Sequence, residues 1–238
     1  MSTNYFRDAC GDFKYLRERR YPEKATLKLV GDRHRLSRVQ RNCLFRGIII
    51  GERADARRRK ISAPRDVAGS SLGIDWYNAL ITVESYLRGV ALFISDDGVV
   101  RDSSATHGSY RRTGVTERAL KEIIDALREL RPGRIDAFLD SPIAFSGAMA
   151  EELRERLVIC DCPVTVSLSH SADYPLKSFY GLVASSDSVV LDSATRVLDL
   201  PRCVLERGFG FTPPALLDLY PASPSEPGQS PWSENLGR

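Results

Sequence analysis

The sequence has no long apolar run. Its apolar stretches are of strand length, whereas a helix that crosses a bilayer needs about 18–20 apolar residues. The N-terminal segment MSTNYFRD also lacks the apolar core of a secretory signal peptide. We therefore expect no membrane partner and a cytoplasmic location.

Cysteine is scarce and irregularly placed. The five cysteines are odd in number and scattered along the chain, which argues against a disulfide framework. Cys160 and Cys162 are separated by a single residue, closer than the spacing of most structural zinc sites. We expect reduced and mostly buried thiols.

Several catalytic motifs are also absent. The chain contains no G-x-x-x-x-G-K-[ST] phosphate loop, no G-x-G-x-x-G after its first predicted strand and no G-x-S-x-G elbow. These absences argue against P-loop NTPases, dinucleotide-binding enzymes and α/β-hydrolases.

The sequence does have a strong charge asymmetry. Residues 1–68 hold 18 Lys and Arg against 8 Asp and Glu, a net charge of +10, and the remaining 170 residues hold 16 against 23, a net charge of −7. Such an asymmetry is typical of a protein that binds a polyanion with its basic part and acts on it with its acidic part. We therefore expect nucleic acid as the partner.

Residues 1–51 are predicted to form a small, basic, all-helical module. Helix-start signals and the lack of strand-like alternation place helices at Tyr5–Arg19, Pro22–Val30 and Ser37–Ile49, with Ser37 as an N-cap. Two short helices joined by a glycine-containing turn resemble a helix-turn-helix. The alternative is a helical cap with a solvated basic face. The residues expected to contact nucleic acid are Arg33, Arg35, Arg38 and Arg41.

Three further segments follow along the chain. Residues 52–68 are predicted to be a basic linker, either mobile or docked on something anionic. Residues 69–211 alternate between strand and helix patterns, which predicts an α/β domain with a mainly parallel sheet and helices on both faces. Residues 212–238 are rich in proline and predicted to be disordered, apart from local docking near 216–220. The predicted strands lie near 72–76, 90–95, 134–139, 163–168, 180–184 and 196–199, and the helices near 79–87, 116–131, 144–157 and 187–194.

Four of the apolar runs are each followed by an aspartate, at Asp75, Asp97, Asp140 and Asp187. The carboxyl ends of parallel strands meet at one edge of a sheet, where ligands bind. Two carboxylates about 4 Å apart repel by about 4 kcal/mol at an effective dielectric of 20, so a cluster must take up protons or bind a cation. Ligands that are all oxygen favour Mg²⁺ or Mn²⁺.

Two more candidate residues follow Asp75 on the next predicted helix. The amide of Asn78 is placed to hold the turn or to contact a phosphate. Glu84 falls in the second turn of a helix that begins at about Ala79, close enough for its carboxylate to turn back toward the strand ends. Asp187 is expected at a helix N-terminus. For each carboxylate alone, turn or cap chemistry is the simpler alternative.

A polar loop follows the second predicted strand. Residues 101–112 include hydroxyl groups, His107, Arg111 and Arg112, which suit phosphate binding, and Tyr110 offers a surface on which a base can stack. The alternative is an ordinary polar surface loop.

Two resemblances rest on short segments of this chain. Ile74-Asp-Trp-Tyr-Asn-Ala-Leu80 resembles the Asp-Gly-Tyr-Asn opening of the NYN and YacP-like branches of the PIN-like nuclease superfamily, with Trp76 in place of the usual glycine. Ser185-Ser-Asp-Ser188 is similar to their Ser/Thr-Asp motif after the fourth strand. Across nearly residues 5–206, the chain also resembles an uncharacterised prokaryotic family catalogued as domain of unknown function 434 (DUF434). The segments that carry this second resemblance are 29–36, 81–85, 96–102, 107–111 and 140–143.

The PIN-like resemblance implies a three-layer α/β domain that cleaves phosphodiesters with a metal ion. It implies Asp75, Asp140 and Asp187 as catalytic carboxylates and ligands of Mg²⁺ or Mn²⁺, with Glu84 and Asp97 as helpers. RNA is the favoured nucleic acid, and the resemblance also implies a homodimer.

Three functions remain open on the sequence. The first is a metal-dependent nuclease, the second a non-catalytic nucleic-acid-binding protein with a degenerate PIN-like domain, and the third a phosphohydrolase acting on a small phosphoester. The charge asymmetry argues against the third. Salt-dependent affinity for a polynucleotide distinguishes the first two from the third, and metal-dependent turnover distinguishes the first from the second.

Overall fold

The structure is a computed structural model that describes residues 5–104 and 110–220. The described chain divides into two compact units. The first comprises residues 5–58, 88–104 and 213–220, and the second comprises residues 59–87 and 110–212. None of the helices in these residues combines the length and hydropathy needed to cross a bilayer.

Ten α-helices and seven strands lie in the described residues. In chain order they are α1 (Tyr5–Glu18), α2 (Glu23–Arg33), α3 (Arg38–Gly47), α4 (Gly51–Arg58), β1 (Ser71–Asp75), α5 (Trp76–Leu87), β2 (Leu92–Ile94), β3 (Val100–Asp102), α6 (Thr116–Leu130), β4 (Arg134–Asp140), α7 (Ser146–Arg156), β5 (Val164–Ser169), α8 (Asp173–Lys177), β6 (Leu182–Ala184), α9 (Ser188–Ser193), β7 (Arg196–Val197) and α10 (Leu200–Phe209).

The start of α3 shows why the first unit is helical where the sequence predicts. The Ser37 hydroxyl accepts a hydrogen bond from the Gln40 N–H, and the Gln40 side chain accepts one from the Ser37 N–H. This capping box satisfies two N–H groups that the helix itself leaves unpaired, and it confirms Ser37 as the N-cap. The core of the unit includes Phe13, Cys43, Leu44, Phe93 and Leu216.

The predicted linker begins with a helix. Residues 51–58 form α4, although their sequence is almost entirely polar. Arg57 on this helix is only 1% exposed, and its guanidinium lies 2.9 Å from the carboxylate of Asp97. This part of the predicted linker is therefore ordered, and one of its arginines is docked on a carboxylate within the protein.

The second predicted strand has an unexpected partner. Residues 92–94 form β2, which pairs antiparallel with β3 in the first unit and does not join the parallel sheet. Gly98 has a φ of 84°, a backbone conformation that favours glycine. Because Asp96-Asp97-Gly98 makes a tight turn between two strands, the expectation that Asp97 ends a strand of the parallel sheet is wrong.

A five-stranded parallel sheet forms the centre of the second unit. Its strand order is β5-β4-β1-β6-β7, and every neighbouring pair is parallel. This confirms the predicted α/β class with a mainly parallel sheet. The core residues of α6 recur at helical spacing, which places them on one buried face. They include Ala119, Leu120, Ile123, Ile124 and Leu127.

Gly133, at the entry to β4, lies too close to a neighbouring backbone to allow a side chain. A Cβ at this position would clash with the backbone carbonyl of Gly69, which cannot move as a side chain can. We expect Gly133→Ala to lower the free energy of unfolding by about 1–3 kcal/mol, measured as a lower urea midpoint at an unchanged m-value. Gly114→Ala is the control, because nothing lies within 4 Å of the Cβ it would add. Equal midpoints for the two variants would contradict the clash.

Candidate functional site

Three predicted carboxylates lie at the C-terminal edge of the parallel sheet. Asp75 is the last residue of β1 and Asp140 the last residue of β4, and these strands are neighbours. Asp187 follows β6, which pairs with the other side of β1. Because the three strands are parallel, the structure brings these aspartates to the same edge.

Asp75 is the most deeply buried of the three, with only 6% of its surface exposed. Its Oδ2 accepts a hydrogen bond from the Ser185 hydroxyl at 2.9 Å, and its Oδ1 accepts one from the Asn78 N–H at 3.3 Å. Burial raises the pKa of Asp75 to about 7, and the charges of Asp140 and Asp173 add to that rise. Without a cation, this carboxyl group therefore keeps its proton to a higher pH than an ordinary aspartate does.

Asp140 and Asp187 are each held by one carboxylate oxygen. The Oδ1 of Asp140 accepts a hydrogen bond from the Ala172 N–H at 2.8 Å. The Oδ1 of Asp187 accepts from the Val189 N–H at 2.7 Å and the Val190 N–H at 3.2 Å, which confirms its predicted place at a helix N-terminus. Within the described residues, no group donates a hydrogen bond to the second oxygen of either side chain.

A fourth carboxylate, Asp173, belongs to the same group, although the sequence pattern does not place it there. It is the first residue of α8, beyond the end of β5. Burial raises the pKa of Asp173, and the charges of Asp187 and Asp140 add to that rise. The pattern of an apolar run followed by aspartate misses it, because β5 ends at Ser169 and a polar loop lies between.

We refer to Asp75, Asp140, Asp173 and Asp187 as the strand-end carboxylates. In the part of the chain that the structure describes, none of the four forms a salt bridge, and no three His, Cys, Asp or Glu side chains lie close enough to hold a metal ion. Their donor atoms, all oxygen, and their uncompensated charge fit Mg²⁺ or Mn²⁺. The chemistry of the group thus fits a divalent cation, although the ligand set is not assembled.

Asn78 joins α5 to the loop after β6. Its Nδ2 donates to the Ser186 hydroxyl and its Oδ1 accepts from the Ser186 N–H, both at 2.9 Å. Both ends of the amide are therefore used within the protein, one residue before Asp187. The Nδ2 group has a second N–H, so the predicted contact between Asn78 and a phosphate could be made without breaking these bonds.

Glu84 does not join the strand-end carboxylates. Helix α5 begins at Trp76, earlier than predicted, so Glu84 lies in the third turn, about 12 Å along the axis from the first residue. Its buried carboxylate accepts hydrogen bonds from the Tyr110 hydroxyl at 2.9 Å and from the Thr116 hydroxyl. The predicted second-turn position is wrong, because the helix starts directly after the strand.

The Tyr110 ring packs against Tyr77 at a centroid distance of 5.0 Å, so it is not a free stacking surface.

The arginines of the predicted phosphate-binding loop differ in their surroundings. Arg112 donates to Glu152 at 2.6 Å and to Glu117 at 3.1 Å, and these hydrogen bonds raise its pKa. Its charge is therefore already balanced within the protein. Arg111 is exposed to solvent. His107 lies outside the described residues.

Asp97 belongs to the first unit, whereas the strand-end carboxylates belong to the second. It accepts hydrogen bonds from Arg101 at 2.6 Å and from Arg57 at 2.9 Å. Burial alone would raise the pKa of Asp97, but the arginines and the Ser95 hydroxyl hold it well below its usual range. Asp97 is therefore the centre of a buried ion cluster and not a member of the strand-end group.

Two of the four predicted nucleic-acid contacts in the first unit form ion pairs. Arg41 lies 2.9 Å from an aspartate of α2, and Arg33 lies 3.4 Å from an aspartate of α1. The other two, Arg35 and Arg38, are exposed.

Comparison with known proteins identifies the family. Residues 64–203 match the family described as "Domain of unknown function (DUF5616)", which is more than half of the chain. The chain belongs to this family. Residues 5–60 of this DUF5616 protein also match "Protein of unknown function (DUF434)". The resemblance to DUF434 is thus confirmed for the N-terminal segment, but its predicted extent to residue 206 is wrong, because the rest matches DUF5616.

The DUF5616 protein is also similar to "Uncharacterized protein MJ0935" of Methanocaldococcus jannaschii. The two are 28% identical over 182 residues, which cover 76% of this chain and 86% of the relative. No solved structure matches the chain. None of these descriptions names an activity.

Proposed function

We propose that this protein is a metal-dependent nuclease, with RNA as its favoured substrate and a PIN-like second unit. The observation that carries the proposal is the group of strand-end carboxylates, which share one edge of a parallel sheet and form no salt bridge in the described residues. Structural carboxylates in a protein interior are normally paired with a cation or a proton. A group that has no salt bridge and holds its carboxylates close together is suited to a bound cation.

Three of the four carboxylates are the proposed metal ligands. Asp75, Asp140 and Asp187 would hold Mg²⁺ or Mn²⁺, with Asp173 beside them. When bound, a divalent cation supplies charge that activates a water molecule and offsets charge on the scissile phosphate. Asp75 would release the proton that its raised pKa retains at neutral pH, because a ligand must be deprotonated.

The loops that hold these groups support the proposal. Asp140 and Asp187 each use only Oδ1 for backbone hydrogen bonds, so Oδ2 keeps its lone pairs for another partner. Asn78 fixes the loop that carries Asp187 by its two bonds to Ser186. These positioning contacts restrain the side chains without neutralising their charge.

The basic first unit supports a polyanionic substrate. Its described residues, 5–58, 88–104 and 213–220, hold 17 Lys and Arg against 11 Asp and Glu, a net charge of +6, and Arg35 and Arg38 are exposed beside the turn between α2 and α3. A helix-turn-helix-like use of α3 would place these side chains against phosphates. Binding of this kind weakens steeply with salt, because it releases counterions.

A cleavage assay with Asp140→Asn tests the nuclease activity. Asparagine keeps an oxygen for the Ala172 N–H but removes the charge, so we expect metal-dependent cleavage to fall at least about 100-fold, because charge stabilisation by a metal is worth several kcal/mol. The assay measures cutting of labelled single-stranded RNA, structured RNA and DNA in Mg²⁺, Mn²⁺ or EDTA.

The matched control for this assay is Asp161→Asn, an exposed aspartate before β5 at the opposite edge of the sheet. The control is expected to cut like the wild type. Cleavage that persists in EDTA, or in purified Asp140→Asn, would contradict the proposal.

A non-catalytic nucleic-acid-binding protein is the second candidate. It is favoured by the observation that no three ligands in the described residues are close enough to hold a metal. In the same assay, salt-sensitive binding with no cutting in either metal would favour it over the nuclease.

A further inference from the structure

Two exposed aromatic side chains lie on loops beside the strand-end carboxylates. Phe145 follows β4 and is 87% exposed, and Tyr174 follows β5, directly after Asp173, and is 80% exposed. Large aromatic side chains normally bury most of their surface. Their exposure on neighbouring loops at this edge therefore calls for a functional explanation.

The two loops are fastened to each other at Asp140. The Ser141 N–H donates to the Ser169 carbonyl at 2.7 Å, and the Ala172 N–H donates to the Asp140 carboxylate at 2.8 Å. The loop after β4 and the loop after β5 are thus joined by two hydrogen bonds, one at the Asp140 side chain and one at the next residue. The aromatic side chains are carried by segments whose backbone is fixed relative to the proposed reaction site.

The backbone of Phe145 is strained. Its φ is 62° and its ψ is 19°, in the left-handed region that disfavours a side chain with a Cβ. It occupies the N-cap of α7 but makes no side-chain cap hydrogen bond. Glycine or asparagine would suit both this conformation and the cap better. Neither packing nor capping explains a phenyl ring here, and strained residues of this kind concentrate at functional sites.

We propose that Phe145 and Tyr174 stack against unpaired bases of a single-stranded stretch that passes the edge of the sheet where the strand-end carboxylates lie. This inference rests on the proposed function. The face of an aromatic ring attracts any base, but only a base released from a duplex presents its own face. A protein partner fits less well, because an apolar contact over these rings would also bury uncompensated carboxylates.

Equilibrium binding in EDTA tests the stacking without any cleavage. The probes are a fluorescent single-stranded RNA, the same strand with abasic sites, and its duplex. We expect Phe145→Asn and Tyr174→Ala each to weaken binding of the single strand by about 5- to 100-fold, the range known for base–aromatic stacking. Binding of the abasic strand and the duplex should not change.

Two features keep this test interpretable. Tyr180→Ala is the matched control, because Tyr180 is 98% exposed but precedes β6, at the opposite edge of the sheet; it should bind like the wild type. Phe145→Asn is chosen because asparagine tolerates the left-handed conformation, so its Tm should equal or exceed that of the wild type.

The outcomes separate the stacking from the nuclease activity. If both variants bind the single strand like the wild type, or lose affinity equally for all three probes, the stacking is overturned, even where cleavage remains metal-dependent. If affinity falls only for the strand with bases, the stacking is supported, even where no cleavage is found and the proposed function fails.

Discussion

Asp75→Asn is expected to abolish metal-dependent cleavage and, in the same molecule, to stabilise the fold at pH 8. The loss of activity, at least about 1,000-fold, follows from removing a charged ligand whose cation is worth several kcal/mol to the transition state. The gain in stability follows from the burial of Asp75, which makes its ionised form costly. A residue whose charge lowers the stability of the fold but is needed for activity is typical of a functional site.

The sign of the pH dependence follows from the pKa of Asp75. In the folded protein it is about 7, above the ordinary 3.8, so the folded state binds this proton more tightly than the unfolded state does. The stabilising effect of the proton is complete below about pH 4 and is lost as the pH rises to 7. The loss amounts to as much as about 4 kcal/mol, and Asp75→Asn should escape it.

Urea denaturation in EDTA from pH 4 to pH 8 measures this effect. The difference in unfolding free energy between Asp75→Asn and wild type should grow across this range in favour of the variant. Asp161→Asn, exposed and distant from the strand-end edge, should show no such trend. A parallel pH profile for Asp75→Asn and wild type would contradict the raised pKa.

The second large effect is expected at Asp97, where Asp97→Asn should lower the free energy of unfolding by about 3–5 kcal/mol. The variant leaves the buried guanidinium groups of Arg57 and Arg101 without their carboxylate. Urea denaturation should show this loss of unfolding free energy as a lower urea midpoint. If Asp97 were a catalytic helper, as the sequence suggested, the variant would lose activity and keep its stability.

Asp32→Asn is the matched control for Asp97→Asn. Asp32 also binds two basic side chains, Lys28 at 2.7 Å and Arg41 at 2.9 Å, but its side chain is 53% exposed. Solvent therefore screens the interaction, and the loss of stability should be much smaller than for Asp97→Asn. Similar losses for the two aspartates would show that burial does not decide the strength of these ion clusters.

The parallel sheet was predictable because buried strands have a simple pattern. The runs that end at Asp75 and Asp140 are short, apolar and followed by turn residues, and both form strands close to the predicted limits. The N-cap at Ser37 was predictable for a similar reason, since a capping box is a local interaction.

The sequence predictions were wrong or incomplete where the local structure depends on residues far away in the chain. Helix α4 is nearly all polar, and the burial of its Arg57 depends on the pairing with Asp97, 40 residues away. Asp173 is separated from its strand by a loop, so the strand-end pattern does not reveal it. The exposure of Phe145 and Tyr174 depends on the fold as a whole, and no periodicity in the sequence indicates it.

Anomalous diffraction from crystals of the protein soaked in Mn²⁺ tests directly whether the strand-end carboxylates bind a divalent cation. We expect an anomalous peak within ligand distance of Asp75, Asp140 and Asp187, and its loss in Asp140→Asn crystals soaked in the same way. No peak at the strand-end carboxylates, or a peak there that Asp140→Asn leaves unchanged, would contradict the claim that these residues hold the divalent cation.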